Sequence, residues 1–281
     1  MREWIEVRVY SDTLRQRLPP ELVKSLPYDV WSISLPRDSP RWGEIRAILD
    51  TEPSRYFAWV RRRYTPEELA EAELLRLEIT RAFEPIGEEC GTKYDRSAAC
   101  PHCGAGRKQV SDLHLQLRRV YQGWPSIPQA RRTGIARTIA EEIVVSRDLA
   151  DVITTEGVTG CELRPVRGCG ENAKITPLWK QLWITGRAGR TVAPTEFGIH
   201  AFDPDPAGEY RCPLGHVSGL NLISEVYIER SQWDGSDIAA TENLTTGTMN
   251  RLPMILISPR FYRLLDEHKF KGFKVEVAHL V

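Results

Sequence analysis

Three cysteines of the stretch Cys90 to Gly106 are the residues of this chain best suited to chemistry. Cys100 and Cys103 are separated by Pro-His and followed by Gly104, which is the form of a zinc knuckle. Two thiolates with this spacing can face one ion, and a glycine lets the backbone turn so that its amides point at the sulfurs. The stretch therefore predicts a metal site.

A structural zinc site needs four ligands, so two more must come from elsewhere in the chain. Cys90 precedes a glycine and resembles the end of a second knuckle whose first cysteine is absent. Cys212 begins a third knuckle-like segment, Cys-Pro-Leu-Gly-His, in which glycine stands at the position of the second cysteine. We predict a zinc ion held by Cys90, Cys100, Cys103 and Cys212, with His216 as the substitute ligand if one cysteine points away.

Two other interpretations of the cysteines stay open. A redox pair of the thioredoxin type would need a helix to begin after the second cysteine, but Gly104-Ala105-Gly106 follows. A catalytic zinc would need an open coordination position and a general base, and the sequence contains no HExxH motif. The enzyme alternative is a zinc-dependent hydrolase or transferase with the metal near His216 or His102. Cys161 is expected in the core, and Cys169 lies in a glycine-flanked loop.

The composition limits the class of protein. The chain has 281 residues, with 38 basic and 38 acidic side chains, so its formal net charge is zero. Dedicated nucleic-acid binders usually carry a basic excess, so that function would depend on a basic stripe around Arg61–Arg63 and Arg107-Lys108. No apolar run reaches the length of about 18 residues that a membrane span needs. The N-terminal residues lack a signal-peptide pattern, which predicts a cytoplasmic protein without membrane association.

The periodicity of apolar residues predicts an α+β fold with mixed or antiparallel sheets and short helices. Residues 1–60 are expected to be mostly β, because apolar and polar residues alternate there. Thr65, Pro66 and Glu68 form the start signals of a helix whose apolar stripe runs to Phe83. This pattern divides the chain into an N-terminal β-rich segment that ends in an amphipathic helix, residues 1–85, and an α+β domain with the zinc knuckle, residues 86–281.

Residues 144–165 and 256–277 align without a gap at an offset of 112 positions. Each segment predicts the end of a strand, a serine N-cap, a short amphipathic helix, a glycine turn and a further strand. Two such units would form an internal duplication. Ile135 to Glu142 is predicted as a helix, Leu113 to Leu117 and Leu220 to Glu229 as strands, and Trp233 to Asn250 as an exposed loop.

The chain resembles the double-CXXCG motif proteins, a bacterial paralogous family that includes toxin immunity proteins. The resemblance rests on Cys90-Gly91, on Cys100-Pro-His-Cys103-Gly104, and on the terminal pattern Leu256-Ile257-Ser258 … Lys271-Gly272-Phe273 … Glu276-Val277. It covers about the last two-thirds of the chain, in which only one CxxCG is complete. The resemblance implies a zinc-stabilised cytoplasmic protein that binds and neutralises a cognate toxin, without catalysis. The oligomeric state is not predicted by the sequence.

Overall fold

A computed structural model describes residues 1–80, 82–83, 87–116, 134–138, 142–170, 173–205, 212–214, 216, 220–242 and 253–281. These residues form three mixed or antiparallel sheets, two short strand pairs and a few short helices, which confirms the predicted α+β class. Among the described residues, no helix is both long and apolar enough to span a membrane.

The N-terminal unit is a four-stranded antiparallel sheet of order β2-β3-β1-β4 with two helices. Its strands and helices are β1 Arg2–Val9, α1 Asp12–Arg17, β2 Lys24–Leu26, β3 Val30–Pro36, α2 Trp42–Leu49 and β4 Tyr56–Arg63. The predicted alternation is confirmed, because the odd-numbered residues Ile5, Val7 and Val9 are buried while the intervening residues are partly exposed.

The rest of the chain is a tandem repeat. The elements of the first repeat are β5 Leu74–Ile79, β6 Ala82–Phe83, β7 Tyr94–Asp95, β8 Lys108–Gln109, β9 Leu113–His114, β10 Ile135–Thr138, β11 Ile143–Ser146, α4 Arg147–Thr155 and β12 Cys161–Arg167. The short α3, Pro66–Glu71, precedes them.

The second repeat has the same elements in the same order. They are β13 Ile175–Ile184, β14 Gly186–Arg187, β15 Phe197–Gly198, β16 Asn221–Leu222, β17 Val226–Ile228, β18 Ile238–Ala240, β19 Ile255–Ile257, α5 Pro259–Glu267 and β20 Phe273–Leu280. Helices α4 and α5 both span nine residues and begin 112 positions apart. The element order predicted for 144–165 and 256–277 is thus confirmed, and the repeat extends well beyond those segments.

The two repeats exchange their first strands. One six-stranded sheet has the order β6-β10-β11-β13-β12-β9, and the other has the order β14-β18-β19-β5-β20-β17. Gln181 of β13 pairs with Val144 of the first repeat, and Arg76 of β5 pairs with the equivalent residue of the second repeat, Leu256. Every other pairing in the two sheets matches in direction, so each repeat supplies the central strand of the other repeat's sheet.

One hydrophobic core joins the repeats. It contains Leu149 and Ile153 of α4 together with Phe261 and Leu265 of α5, all buried. A serine caps each helix at the predicted position: the Oγ of Ser146 accepts a hydrogen bond from the Leu149 amide, and the Oγ of Ser258 accepts one from the Phe261 amide. The repeats therefore share a single packed interior.

A glycine precedes the last strand of each repeat. Gly160 precedes β12 with φ +80°, and its counterpart Gly272 precedes β20 with φ +104°. A Cβ at Gly160 would lie 2.0 Å from the carbonyl oxygen of Ile238, a residue of the second repeat. Both the backbone conformation and the close approach therefore require glycine at this position.

The predicted helix from Pro66 to Phe83 is wrong beyond Glu71, where α3 ends. The residues that follow form β5, in which Leu75, Leu77 and Ile79 face the shared core. A spacing of four, as between Leu75 and Ile79, places two residues on one side of a strand as well as on one face of a helix, and pairing with β19 and β20 decides the outcome. Because β5 lies in the second repeat's sheet, hydrogen bonds cross the boundary predicted at residue 85.

Three further predictions need correction. Ile135–Thr138 is strand β10 rather than the start of a helix, and residues 139–141 lie outside the described residues. Ile238–Ala240, predicted within an exposed loop, is the largely buried strand β18. In both cases the strand pairs on one side with the next strand of the chain and on the other side with a strand that lies 55 positions (β10 with β6) or 53 positions (β18 with β14) earlier in the sequence. The segment from Leu220 to Glu229 contains two short strands instead of one. Of the predicted strand Leu113–Leu117, only Leu113–His114 forms β9, residues 115 and 116 are not in a strand, and residue 117 lies outside the described residues.

Candidate metal centre

Four side chains from the two repeats converge on one point. The thiols of Cys100, Cys103 and Cys212 and a ring nitrogen of His216 all lie within 4.8 Å of one another. Cys100 and Cys212 are buried, whereas Cys103 and His216 are partly exposed. Cys100 and Cys103 follow β7 in the first repeat, and Cys212 and His216 follow β15 in the second, so each repeat contributes half of the group.

The distances fit a tetrahedral metal ion. The Sγ atoms of Cys100 and Cys212 are 3.8 Å apart, and the Nδ1 of His216 lies 3.6 Å from the Sγ of Cys103 and 3.2 Å from the Sγ of Cys212. Zinc bonds of about 2.3 Å to sulfur and about 2.0 Å to nitrogen at tetrahedral angles give separations of about 3.8 Å between two sulfurs and about 3.5 Å between sulfur and nitrogen. This Cys3His group therefore has the spacing required to hold a metal ion.

The backbone of the first half-site forms a tight turn around Cys100. The amide of Gly104 donates to the carbonyl oxygen of Cys100 at 2.8 Å, and the amide of Cys100 donates to the carbonyl oxygen of Ala105 at 2.8 Å. Gly104 adopts φ +69°, and a Cβ there would meet open space, so the backbone conformation rather than crowding calls for glycine. In the second half-site the amide of Cys212 donates to the carbonyl oxygen of His216 at 2.9 Å.

The same turns favour the thiolate form of the two buried cysteines. Burial opposes ionisation of Cys100, but backbone amides of His102 and Cys103 donate to its sulfur and lower its pKa below the ordinary value. The pKa of Cys212 is lowered in the same way, against burial, by hydrogen bonds from His216 and Leu214. Thiolates are the form of cysteine that binds metals, so both half-sites are arranged for coordination.

The structure brings together three of the four predicted ligands and replaces the fourth. Cys90 lies beside Cys169 instead of Cys100, and the substitute His216 stands in the group. His102 is exposed and is not a member of the group. Cys161 packs against the shared core, as expected.

A signal for His216 was present in the sequence. Cys100 and Cys212 are 112 positions apart, which is the offset of the two helices. Extending that alignment places Cys212-Pro213 on Cys100-Pro101, and it places His216 one position after the residue that matches Cys103. The alignment of the repeats therefore matches the segment of Cys100 and Cys103 with the segment of Cys212 and His216, and Cys90 has no part in this match.

A cavity of about 800 Å³ lies beside the metal group and is lined by Cys103 and Gly104. Its walls include equivalent positions of the two repeats, such as Arg76 with Gln181 and Ile143 with Ile255. Gln109 and Gln181 close one wall through reciprocal amide hydrogen bonds of 2.9 and 2.7 Å. The cavity thus lies between the repeats, as the metal group does.

The N-terminal unit is attached to the second repeat close to this cavity. The side chain of Arg62 is only 1% exposed; its Nε donates to Glu3 at 2.7 Å and its Nη1 approaches Glu276 at 3.5 Å. Arg76 also donates to Glu276, at 2.9 Å. A buried charge pair of this kind fixes the relative position of the elements that carry it.

Comparison with known proteins gives no match from which a function could be inferred, so functional inference depends on the geometry of the metal group and the cavity. No protein-family model matches the chain, and no curated protein matches it.

Proposed function

We propose that this chain is a zinc-stabilised, non-catalytic binding protein of the bacterial cytoplasm that neutralises a toxin domain by binding it. The observation that carries the structural part is that all four donors of the metal group are protein side chains. Structural zinc sites are closed in this way, whereas catalytic zinc sites keep one position for water or substrate. Three sulfur donors and one imidazole also form a donor set that binds zinc in preference to hard cations such as magnesium.

The zinc ion would join the repeats at a point where the fold provides little else. Cys100 and Cys212 belong to different repeats, and their Sγ atoms are 3.8 Å apart. The described residues next to both cysteines form turns and irregular chain rather than a long helix or strand. Metal coordination would therefore supply the folding free energy that packing does not supply there.

The class of partner comes from the resemblance to the double-CXXCG motif proteins, some of which are immunity proteins. The absence of an HExxH motif agrees with a role in binding. The basic run Arg61–Arg63 offers little to a nucleic acid, because Arg61 pairs with Glu6 at 2.9 Å and Arg62 is buried in its own ion pairs. These ion pairs favour a protein partner over a nucleic acid.

The metal part is tested by measuring zinc per chain in protein purified without added metal. We expect one zinc ion per chain. The protein should then be loaded with Co²⁺ in place of zinc, and its visible spectrum recorded before and after addition of cyanide. A closed site gives a tetrahedral cobalt spectrum that cyanide leaves unchanged until the metal is stripped. Absence of any metal would contradict the proposal.

A zinc-dependent hydrolase or transferase is the second candidate, and the cavity beside Cys103 is the observation that favours it. An enzyme of this kind needs a metal position open to the cavity. Cyanide binding to the cobalt protein, as a ternary complex with a changed spectrum, would support the enzyme and overturn the closed site.

The partner is tested by co-expression with the proteins encoded beside this gene. We expect one of them to be toxic alone, to be tolerated in the presence of the wild-type chain, and to copurify with it. A matched experiment uses Cys100→Ser, which should lose both metal and protection. Failure of every neighbouring protein to bind would count against toxin neutralisation while leaving the zinc site untouched.

A further inference from the structure

Two cysteines outside the metal group face each other. Cys90 is buried, with 3% of its surface exposed, whereas Cys169 is exposed. The Cys169 thiol lies close enough to Cys90 to raise the pKa of Cys90, and neither cysteine is in a disulfide. Neither belongs to the donor group of Cys100, Cys103, Cys212 and His216. The pair therefore has no role in the metal site described above.

The backbone holds the two segments in contact. The amide of Gly170 donates to the carbonyl oxygen of Cys90 at 2.9 Å. A Cβ at Gly91 would lie 3.9 Å from the carbonyl carbon of Gly170, so the two chain segments run close together immediately after the cysteines. A disulfide needs two backbone segments that approach closely, with Cα atoms about 4.4–6.8 Å apart, and these two segments are in direct contact.

The two thiols differ in reactivity. Cys169 is accessible from solvent in a loop flanked by Gly168 and Gly170. Burial, with the neighbouring Cys169 thiol, raises the pKa of Cys90 to about 12, so Cys90 stays protonated at neutral pH. An oxidant from solvent therefore meets Cys169 first, and Cys90 is positioned to react second.

We propose that Cys90 and Cys169 form a reversible disulfide when the protein meets a hydroperoxide. The thiolate sulfur of Cys169 attacks the O–O bond of hydrogen peroxide, which breaks to give a sulfenic acid and, after protonation, water. The sulfur of Cys90 then attacks the sulfenic sulfur, the S–S bond forms, the S–O bond breaks, and the hydroxide leaves as water with the proton of Cys90. The two thiols lose two electrons, and the peroxide gains two.

The disulfide would act on the segment that leads to the metal group. Cys90 ends the 3-10 turn Gly87–Cys90, which opens this segment, and Cys169 follows β12. The other end of the segment is already tied to β12, because the amide of Leu115 donates to the carbonyl oxygen of Arg167 at 2.9 Å. Oxidation would thus fix both ends of the loop that carries Cys100 and Cys103, and this proposal does not depend on the function of the metal.

The test is peptide mapping of the full chain, loaded with zinc and treated with hydrogen peroxide, under non-reducing conditions. Trypsin releases Cys90 in residues 82–93 and Cys169 in residues 168–174. We expect these two peptides to be joined after oxidation, to separate with dithiothreitol, and to carry free thiols in the untreated protein. The melting temperature of the oxidised protein should rise and should return to its first value on reduction.

Cys169→Ser is the variant that sharpens the test, with Cys161→Ser as the matched control. Cys169 is exposed, so its replacement by serine should leave the fold intact and abolish the cross-link, while Cys161→Ser should retain it. Three results would overturn the proposal: Cys169 oxidised to a sulfinic acid with Cys90 still free, a cross-link to Cys100 or Cys103 instead, or a second zinc ion per chain that Cys169→Ser removes.

Discussion

The two halves of the metal group occupy equivalent places in the repeats but differ in their ligands. The first half-site provides two thiols, Cys100 and Cys103, from a complete knuckle. The second provides one thiol, Cys212, and an imidazole from His216, one position beyond the residue that matches Cys103. The donor atoms of the two half-sites thus converge in space, although one ligand of the second half-site is a histidine instead of a cysteine and lies one position later in the sequence.

Equivalent residues of the two central strands, β5 and β13, differ in charge. Arg76 of β5 and Gln181 of β13 are equivalent, but the first forms an ion pair with Glu276 and the second an amide pair with Gln109. Both are placed by the same register with the flanking strands. The backbone has therefore been kept alike in both repeats, while the polar walls of the cavity have become different.

Loss of either half-site should have the largest effect. Cys100→Ser and Cys212→Ser are each expected to abolish zinc binding and to lower the free energy of unfolding by about 5 kcal/mol, because binding to the folded state alone adds to stability. Metal analysis and denaturant unfolding measure both effects. Cys161→Ser should keep the metal. Zinc retained in Cys212→Ser but lost in Cys100→Ser would show that the second segment is not a half-site.

The exchanged strands, β5 and β13, should contribute equally to the free energy of unfolding. Leu77 of β5 and Leu182 of β13 occupy equivalent positions, and both are buried in the shared core. Leu77→Ala and Leu182→Ala should each cost about 3 kcal/mol of unfolding free energy, through lost burial and the cavity left behind. Denaturant unfolding compares them, with the exposed Arg147→Ala as a control that changes little. A difference above about 2 kcal/mol would break the equivalence of the repeats.

Loss of the two helix N-caps, Ser146 and Ser258, should lower the stability of the protein by different amounts. Ser146→Ala is expected to cost about 1 kcal/mol, the usual value for a lost cap. Ser258→Ala should cost about 2 kcal/mol, because the Oγ of Ser258 also donates to Asp237 at 2.7 Å and its loss leaves that buried carboxylate short of a partner. Thermal unfolding measures both variants, and Thr replacing Ser at each site serves as the conservative control. Equal costs would mean that the bond to Asp237 adds nothing.

The pH dependence that comes from one buried carboxylate of the second repeat, Asp237, should have the smallest effect. Burial raises the pKa of Asp237, but hydrogen bonds from Ser258 and Thr159 and the charge of Arg260 outweigh it, so the pKa falls below its ordinary value of 3.8. The ionised carboxylate therefore stabilises the fold fully above the ordinary pKa, and this contribution is lost as the pH falls toward the folded-state pKa. Unfolding at a series of acidic pH values should show this loss in the wild type.

Asp237→Asn is the matched variant for the pH experiment. Its stability should be lower than that of the wild type near neutral pH, and the difference should shrink as the medium becomes acidic. An equal slope in both proteins would show that other carboxylates govern the acid response.

The helical part of each repeat could be predicted because its signals are local. Ser146 and Ser258 cap helices whose apolar residues follow within a few positions, and a glycine with positive φ ends each unit. The cysteine spacing was also local, so Cys100 and Cys103 were found directly. These features depend on neighbouring residues and need no knowledge of the remaining chain.

The exchanged strands, and the choice of His216 rather than Cys90 as the fourth ligand, could not be predicted in the same way. Leu75, Leu77 and Ile79 fit a strand and a helical stripe, and the choice depends on partners about 180 to 200 positions away. Cys90 has the knuckle-like context that indicates a ligand, yet in the folded chain it lies beside Cys169, 79 positions away. Pairing at such distance is decided by tertiary structure, which a local pattern does not contain.

The exchange of central strands has a consequence for synthesis on the ribosome. Leu75 of β5 pairs with Val277 of β20, so the sheet of the second repeat is incomplete until residue 277 has been made. At about 5–20 residues per second, roughly 10 to 40 s separate the synthesis of these two residues. During that interval β5 lacks its partner strand β20, and a strand edge without its partner can pair with other chains. The nascent chain is therefore a natural client for chaperones that cover exposed strands.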